Sequence, residues 1–255
     1  MAMSIARLST IVNVAIPALF EQVRGGRIFC ESEATLQLHL GRIISTVADL
    51  HIVSPRETFS IELEKPLRGG RERRGRIDLW FRLTTEDGRD WRCAIEIKFF
   101  KEANHREPNN RYDVFKDIAR LESCSDVADI GFMLVGTDHQ HYISHANYSK
   151  KTIDFDLRHG ANYWTGTQLE YRTAKPYGPP ISLAHDYEFR WAALPEPRYI
   201  GKTLHFLLVE VTQDQDPKMA PQETEGDKTG GETEEGGRYR SACWPMLLPS
   251  VPSTF

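Results

Sequence analysis

The chain has 255 residues, of which 40% are apolar, and a formal net charge of −4. This length permits one good-sized domain with decorations, or two small ones, with ample apolar content for a core. The four cysteines are widely spaced without a CxxC pair, which argues against zinc or disulfides and is typical of reduced thiols in a cytoplasmic protein. No apolar stretch is long enough to span a membrane, so we expect no membrane partner.

The negative charge is concentrated near the C-terminal end. Between residues 212 and 237 there are eight acidic residues and two lysines, and removing this net −6 from −4 leaves the rest of the chain near +2. The segment lacks a core-forming pattern and is predicted to be a disordered acidic linker, followed by a tail at 238–255. The overall charge therefore does not exclude a polyanionic partner.

Two helices are predicted before the first strand, at 4–24 and at about 32–50. Ser32 is a suitable N-cap for the second helix, whose apolar residues form one stripe. Glu33 lies on the same inward stripe, where a buried carboxylate needs a partner. The alternative is that Glu33 only complements the helix dipole in the first turn.

A hairpin of two alternating strands, 76–84 and 91–99, is the most informative stretch, and a strand at 57–65 precedes it. The apolar residues expected on one face are Ile77, Leu79, Phe81, Leu83, Trp91, Cys93, Ile95 and Ile97. A three-residue loop ending in Gly88 pairs every one of them with another apolar residue, whereas a two-residue loop would pair each with a polar one. In the favoured register Asp78 lies opposite Glu96, with Lys98 on the same face.

Two facing carboxylates repel unless a cation lies between them, and Mg²⁺ takes oxygen ligands of this kind. Asp78 followed by Glu96-Ile97-Lys98 resembles the PD-(D/E)XK nuclease superfamily, with Ile77 where the family often has proline. The resemblance covers about residues 30–137. It implies an α/β restriction-endonuclease-like core, in the order α-β-β-β-α-β, with a mixed central sheet flanked by helices.

The resemblance also implies a Mg²⁺-dependent endonuclease, with Mn²⁺ as a substitute. The implied metal ligands are Asp78, Glu96, the backbone carbonyl of Ile97, and Glu33 as a third carboxylate with Glu31 as the fallback. Lys98 would orient the attacking water and stabilise the charge that develops on phosphorus, so the implied catalytic residues are Asp78, Glu96, Lys98 and Glu33. The alternative is a surface ladder in which Arg76 and Lys98 neutralise the two carboxylates.

The segment 65–76, directly before Asp78, combines glycines with arginines suited to bidentate phosphate contacts. The candidate nucleic-acid contacts are Arg71, Arg73, Arg74 and Arg76, with Lys101, Arg106 and Arg111 as weaker ones. An arginine-rich loop can also be only solvated surface. These contacts carry no base specificity. We expect DNA rather than RNA as the partner, and a homodimer would suit double-strand cutting.

Beyond the hairpin, a helix is predicted at 110–123 and a strand covered on both faces at 130–136. Residues 142–211 are expected to form a β-rich aromatic extension within a single domain, 1–211. Its predicted strands are 168–172, 187–191 and 203–211. Aromatic side chains there could stack on bases or belong to the core, and they are Trp164, Tyr171, Tyr187 and Trp191.

A competing Zn²⁺ or Mn²⁺ site is Asp138 with His139, His141 and His145, although spacing places no further ligand. Two other functions remain open beside the nuclease. One is a catalytically inactive protein of this fold that binds nucleic acid or acts as a subunit of a larger complex. The other is a hydrolase that uses the carboxylate pair as acid and base without a metal.

Overall fold

The computed structural model describes residues 2–67, 75–103, 106–145, 150–193 and 203–213, so the predicted tail and nearly all of the acidic linker lie outside the described residues. The elements are α1 (Ala2–Arg24), α2 (Glu33–His51), β1 (Thr58–Pro66), β2 (Arg76–Thr84), β3 (Asp90–Phe100), α3 (Glu107–Glu122), β4 (Ile130–Thr137), α4 (His141–Ser144), a 3₁₀ turn (Lys150–Thr152), β5 (Asn162–Tyr163), β6 (Gln168–Leu169), β7 (Ile181–Ser182), β8 (Tyr187–Glu188), β9 (Trp191–Ala193) and β10 (His205–Val211).

The protein is α/β, with a mixed six-stranded sheet in the order β1-β2-β3-β4-β10-β9. Strands β3 and β4 are parallel, and the other neighbours are antiparallel. Because side chains alternate along a strand, each face has its own core. Cys93 and Ile95 pack with α1 and α2. Ala94 packs on the opposite face with α3 and the aromatic extension.

The predicted hairpin register is confirmed from Leu83–Trp91 to Leu79–Ile95, but the predicted pairs Asp78–Glu96 and Ile77–Ile97 are not part of the ladder. Leu83 pairs with Trp91 and Leu79 with Ile95, and Gly88 has a φ of 78° in the turn. Pairing between β2 and β3 does not extend beyond Leu79 and Ile95. One part of the prediction is wrong, because Ile77 packs on the α3 face rather than with Leu79. The two strands therefore part at Asp78, whose side chain accepts a hydrogen bond from Ile97 N.

The aromatic extension both continues the main sheet and covers α3. The predicted strand 203–211 is β10, which lies between β4 and β9. The predicted strand 168–172 is shorter, and 187–191 is divided between β8 and β9. Among the described residues, no helix combines the length and the apolar character needed to cross a membrane.

An ion pair joins α1 to the loop that follows α2. Arg7 donates to both carboxylate oxygens of Glu57 at 2.7 and 2.9 Å, and Val53 N donates to Glu57 Oε2 at 2.9 Å. The hydrogen bond from Arg7 is the main reason that the pKa of Glu57 is lowered to about 2. A lowered pKa means that the ionised, paired carboxylate stabilises the folded state.

Glu57→Gln is expected to lower the free energy of unfolding by about 1–3 kcal/mol at neutral pH. The wild-type contribution is present above the unfolded pKa of about 4.3 and is lost as the pH falls toward about 2. Urea unfolding at pH values of about 7 and 3 measures both effects. Glu86→Gln, which removes only the exposed partner of Arg56, is the matched control. An unchanged acid sensitivity in Glu57→Gln would contradict this assignment.

Candidate metal and catalytic site

The structure brings Asp78, Glu96, Lys98 and Glu33 together where β2 and β3 part. Two of the carboxylates are fixed by the backbone of β3, because Ile97 N donates to Asp78 Oδ2 at 2.7 Å and Phe99 N donates to Glu33 Oε1 at 3.2 Å. Through the bond from Phe99 N, Glu33 does more than complement the helix dipole, but it is exposed, so the prediction of a buried carboxylate on the inward stripe is wrong.

Gln37, one helical turn after Glu33 on α2, positions the strand that carries Asp78. Its side-chain amide donates to the backbone carbonyl of Asp78, and to Glu64 Oε1 at 3.0 Å. Glu64 has a positive φ of 54° and lies between the residues of β1 that pair with Leu79 and Ile77. A left-handed non-glycine residue is uncommon, and here it lies on β1 beside the part of β2 that has left β3.

Two residues of α3 complete the site, and neither is among the residues predicted from the sequence. Asp117 is only 2% exposed and pairs with Lys98 Nζ through Oδ2 at 2.7 Å. Its other oxygen lies 3.0 Å from Arg120 Nη2. Arg120 also holds Glu96, with Nε 3.1 Å from Oε1 and Nη2 2.7 Å from Oε2. A signal was available, since Asp117 follows the inward Val114 by three residues.

We call these six side chains the carboxylate cluster: Glu33, Asp78, Glu96 and Asp117, with Lys98 and Arg120. Four carboxyl groups thus face two cations, which leaves the cluster short of two positive charges when all are ionised. Burial raises the pKa values of Glu33 and Asp78, and that of the fully buried Glu96 well above its usual range. The Lys98 ammonium and the hydrogen bond from Ile97 N partly oppose this rise at Asp78.

Lys98 responds to the same surroundings in the opposite sense. Burial by itself lowers the pKa of its ammonium group, but Asp117, Asp78 and Glu33 together raise it above the ordinary value. Lys98 Nζ also donates to the backbone carbonyl of Ile97 at 3.2 Å. The ammonium is therefore kept protonated beside the carboxylates, where it acts as a positive charge and a hydrogen-bond donor rather than as a base.

Within the described ranges, no three His, Cys, Asp or Glu side chains are placed so that they could hold a metal ion together. The carboxylate cluster nevertheless fits a hard divalent cation in its chemistry. Its ligand atoms are all oxygens, it lacks two positive charges, and Glu96 Oε2 is buried without a well-aligned hydrogen bond. The residues that would hold such an ion are Asp78, Glu96 and the Ile97 carbonyl, and as placed here Glu33 does not join the two carboxylates as a third ligand.

The surface-ladder alternative does not agree with the geometry. Arg76 Nη1 lies 4.0 Å from Glu64 Oε2, so Arg76 does not pair with either carboxylate as that alternative requires, and Lys98 forms its ion pair with Asp117. Glu96 is also fully buried rather than on a surface ladder.

The predicted nucleic-acid contacts have different outcomes. Arg71, Arg73 and Arg74 lie outside the described residues. Arg76 and Arg106 are exposed and Lys101 is half-buried, so all three can be reached from solvent. The predicted nucleic-acid contact of Arg111 is wrong, because this residue is fully buried and its guanidinium pairs with Glu107. It holds α3 to the loop after α4 through the backbone carbonyl of His145, at 3.2 Å, and is not placed to contact a polyanion.

The competing histidine site does not gather a ligand set among the described residues. His141 is nearly buried, with Nε2 3.7 Å from Glu107 Oε1, and its ring stacks on that of His145. Of the aromatic candidates, Tyr187 and Trp191 are buried in the core and Tyr171 is half-buried. Trp164 is 66% exposed, so it alone of these four presents an open ring face.

Comparison of the chain with models of known protein families, with curated proteins and with solved structures finds no match. The basis for assigning a function is therefore the carboxylate cluster itself: carboxylates from two strands and two helices around a lysine, with Glu96 and Asp117 buried, Asp78 half-buried and Glu33 exposed.

Proposed function

We propose that this chain is a Mg²⁺-dependent nuclease of the PD-(D/E)XK superfamily that hydrolyses phosphodiester bonds, with DNA preferred over RNA. The observation that carries the proposal is that Asp78, Glu96 and Lys98 of the hairpin meet Glu33 of α2 where β2 leaves β3. The order α2-β1-β2-β3-α3-β4 is also the order expected of the restriction-endonuclease-like core.

A bound Mg²⁺ would lower the pKa of a water molecule and polarise the phosphoryl group. The protein's part is to present oxygen ligands in fixed positions, and the bonds from Ile97 N and Phe99 N do this for Asp78 and Glu33. The carbonyl of Ile97 faces the same space as Lys98 Nζ, which donates to it.

Lys98 would stabilise the negative charge that develops on the phosphoryl oxygens. Its ammonium is held by Asp117 at 2.7 Å, and its raised pKa keeps it protonated. A preorganised cation in a buried site stabilises such charge more strongly than one in water. Lys98 therefore donates hydrogen bonds to the reacting groups and does not accept the proton of the attacking water.

A second candidate is a protein that binds nucleic acid without cutting it. Arg120 neutralises Glu96, and Asp117 neutralises Lys98, so both key residues already have protein partners. In this case the cluster would be a structural ion network, and binding would depend on accessible basic residues such as Arg76.

The test is hydrolysis of supercoiled plasmid DNA and of a single-stranded RNA, each with Mg²⁺ and with EDTA. We expect Mg²⁺-dependent nicking of the plasmid, no nicking in EDTA, and none by Asp78→Asn protein purified in the same way. Nicking by the variant at the wild-type rate would reject the assigned site. Retention of both substrates in a gel-shift assay, with no cleavage of either, would favour the second candidate.

A further inference from the structure

Arg120 already places a positive charge on the carboxylate of Glu96, which is one of the proposed metal ligands. The guanidinium approaches both oxygens of the carboxylate, with Nε 3.1 Å from Oε1 and Nη2 2.7 Å from Oε2. Glu96 is fully buried, so a second cation at its oxygens would lie close to the guanidinium. A guanidinium and a divalent ion at one carboxylate repel each other strongly in a buried site.

Arg120 is held in a way that permits it to leave Glu96 without losing every partner. Its Nη2 also lies 3.0 Å from Asp117 Oδ1, one helical turn away on the same helix. The side chain is 25% exposed, so its outer edge is open to solvent, unlike the buried Glu96 and Asp117. Oε2 of Glu96 makes no well-aligned hydrogen bond, so the contact there is ionic and not directionally fixed.

The backbone of Gly75 borders the guanidinium of Arg120. A Cβ atom placed on Gly75 would lie 3.4 Å from Arg120 Nη1, which is an ordinary van der Waals contact. The carbonyl of Gly75 accepts a hydrogen bond from Leu67 N at 3.1 Å, which fixes this wall of the site.

We propose that Arg120 occupies the cation position on Glu96 in the metal-free protein, and that a divalent cation displaces it onto Asp117. This rests on the proposed function, because it takes Glu96 as a metal ligand. Arg120 then neutralises the buried carboxylate when no metal is bound, and it sets the metal concentration at which the site fills. The physical reason is that Glu96 cannot stay buried and ionised without a positive partner.

The test is isothermal titration of the full chain with Mn²⁺ and with Mg²⁺. Arg120→Met should bind Mn²⁺ about tenfold more tightly than the wild type, since the competing charge is gone. Lys116→Met is the matched control, because Lys116 lies on the same helix and pairs with the exposed side of Asp113 at 3.3 Å. It should bind as the wild type does.

The outcomes separate this inference from the proposed function. Equal or weaker binding by Arg120→Met, with binding by the wild type, overturns the inference and leaves the proposed function standing. No binding by either protein overturns the metal dependence of the proposed function itself. Glu96→Gln added to Arg120→Met should abolish the gain, and a gain that persists would place the cation elsewhere.

Arg120→Met leaves Glu96 buried without its partner, so the variant's folding must be measured. Its thermal midpoint should be lowered without metal and should rise more with Mn²⁺ than the wild-type midpoint does. If it does not fold, Arg120→Lys carries the test, because lysine keeps the charge but not the two-pronged contact. That variant should bind Mn²⁺ several-fold more tightly than the wild type, and wild-type affinity would contradict the proposal.

Discussion

Replacing Lys98 with methionine is expected to lower Mg²⁺-dependent nicking of plasmid DNA by at least about 100-fold. The ammonium is the positive charge that Asp117 holds in place beside Asp78 and Glu96. Methionine has a similar length and no charge, so the change removes the electrostatic contribution while it fills most of the same space. Initial nicking rates at saturating Mg²⁺ measure the effect.

Metal binding should distinguish Lys98 from the ligands. Lys98→Met keeps Asp78, Glu96 and the Ile97 carbonyl, so Mn²⁺ binding should persist while hydrolysis is lost. Lys150→Met, which removes an exposed lysine of the 3₁₀ turn, is the control and should nick at the wild-type rate. If Lys98→Met nicked plasmid DNA at the same rate as Lys150→Met, Lys98 would have no part in the reaction.

Asp117→Asn is expected to lower the free energy of unfolding by about 2–4 kcal/mol and the nicking rate by at least about tenfold. Both Lys98 and Arg120 lose an anionic partner whose carboxylate is almost fully buried. Asparagine keeps the size of the side chain, so the loss is one of charge. Chemical denaturation and the plasmid assay measure the two effects.

The pH dependence shows whether Asp117 positions and charges Lys98 or only stabilises the fold. Asp117 is one of the groups that raise the pKa of Lys98 against the effect of burial, so its removal should lower that pKa. The nicking rate of Asp117→Asn should therefore fall with rising pH at a lower pH than the wild-type rate does. If Asp117 only stabilised the fold, the nicking rate of Asp117→Asn would decline at the same alkaline pH as the wild-type rate.

Asp113→Asn is the matched control on α3, one turn before Asp117. Asp113 pairs with the exposed Lys116 at 3.3 Å and accepts from Tyr177 OH at 3.3 Å, so it belongs to the outer face of the helix. Its replacement should change the free energy of unfolding by no more than about 1 kcal/mol. The pH at which its nicking rate declines should be the same as for the wild type. Equal effects in the two variants would contradict the role given to Asp117.

The hairpin shows how much of the fold follows from local pattern. Alternation of apolar residues and one left-handed glycine were sufficient to predict the register from Leu83–Trp91 to Leu79–Ile95, because a slip of one residue would reverse every side chain. The helices and strands from 32 to 136 were predicted within a few residues of their observed bounds. The register alone could not show that the strands part before Asp78, since Ile77 fits an apolar environment on either face.

Arg111 and Asp117 show why the periodicity of α3 was not sufficient. Arg111 was predicted as a weaker nucleic-acid contact and Asp117 was given no role, yet both are buried. Arg111 is covered by the loop after α4 and lies 3.8 Å from Asp156, contacts that are distant along the chain. A charged residue can take such a place only when another element supplies its partner, and the helix's own sequence does not contain that information.

The sequence by itself predicted which residues of one hairpin and one helix come together: Asp78, Glu96 and Lys98, with Glu33. Strand alternation and the turn are short-range properties, so they can be read from neighbouring residues. Only the tertiary structure decided that Asp117 holds Lys98 and that Arg120 lies on Glu96. Those contacts depend on how α3 rotates and packs against the sheet, and long-range packing is what a local pattern does not encode.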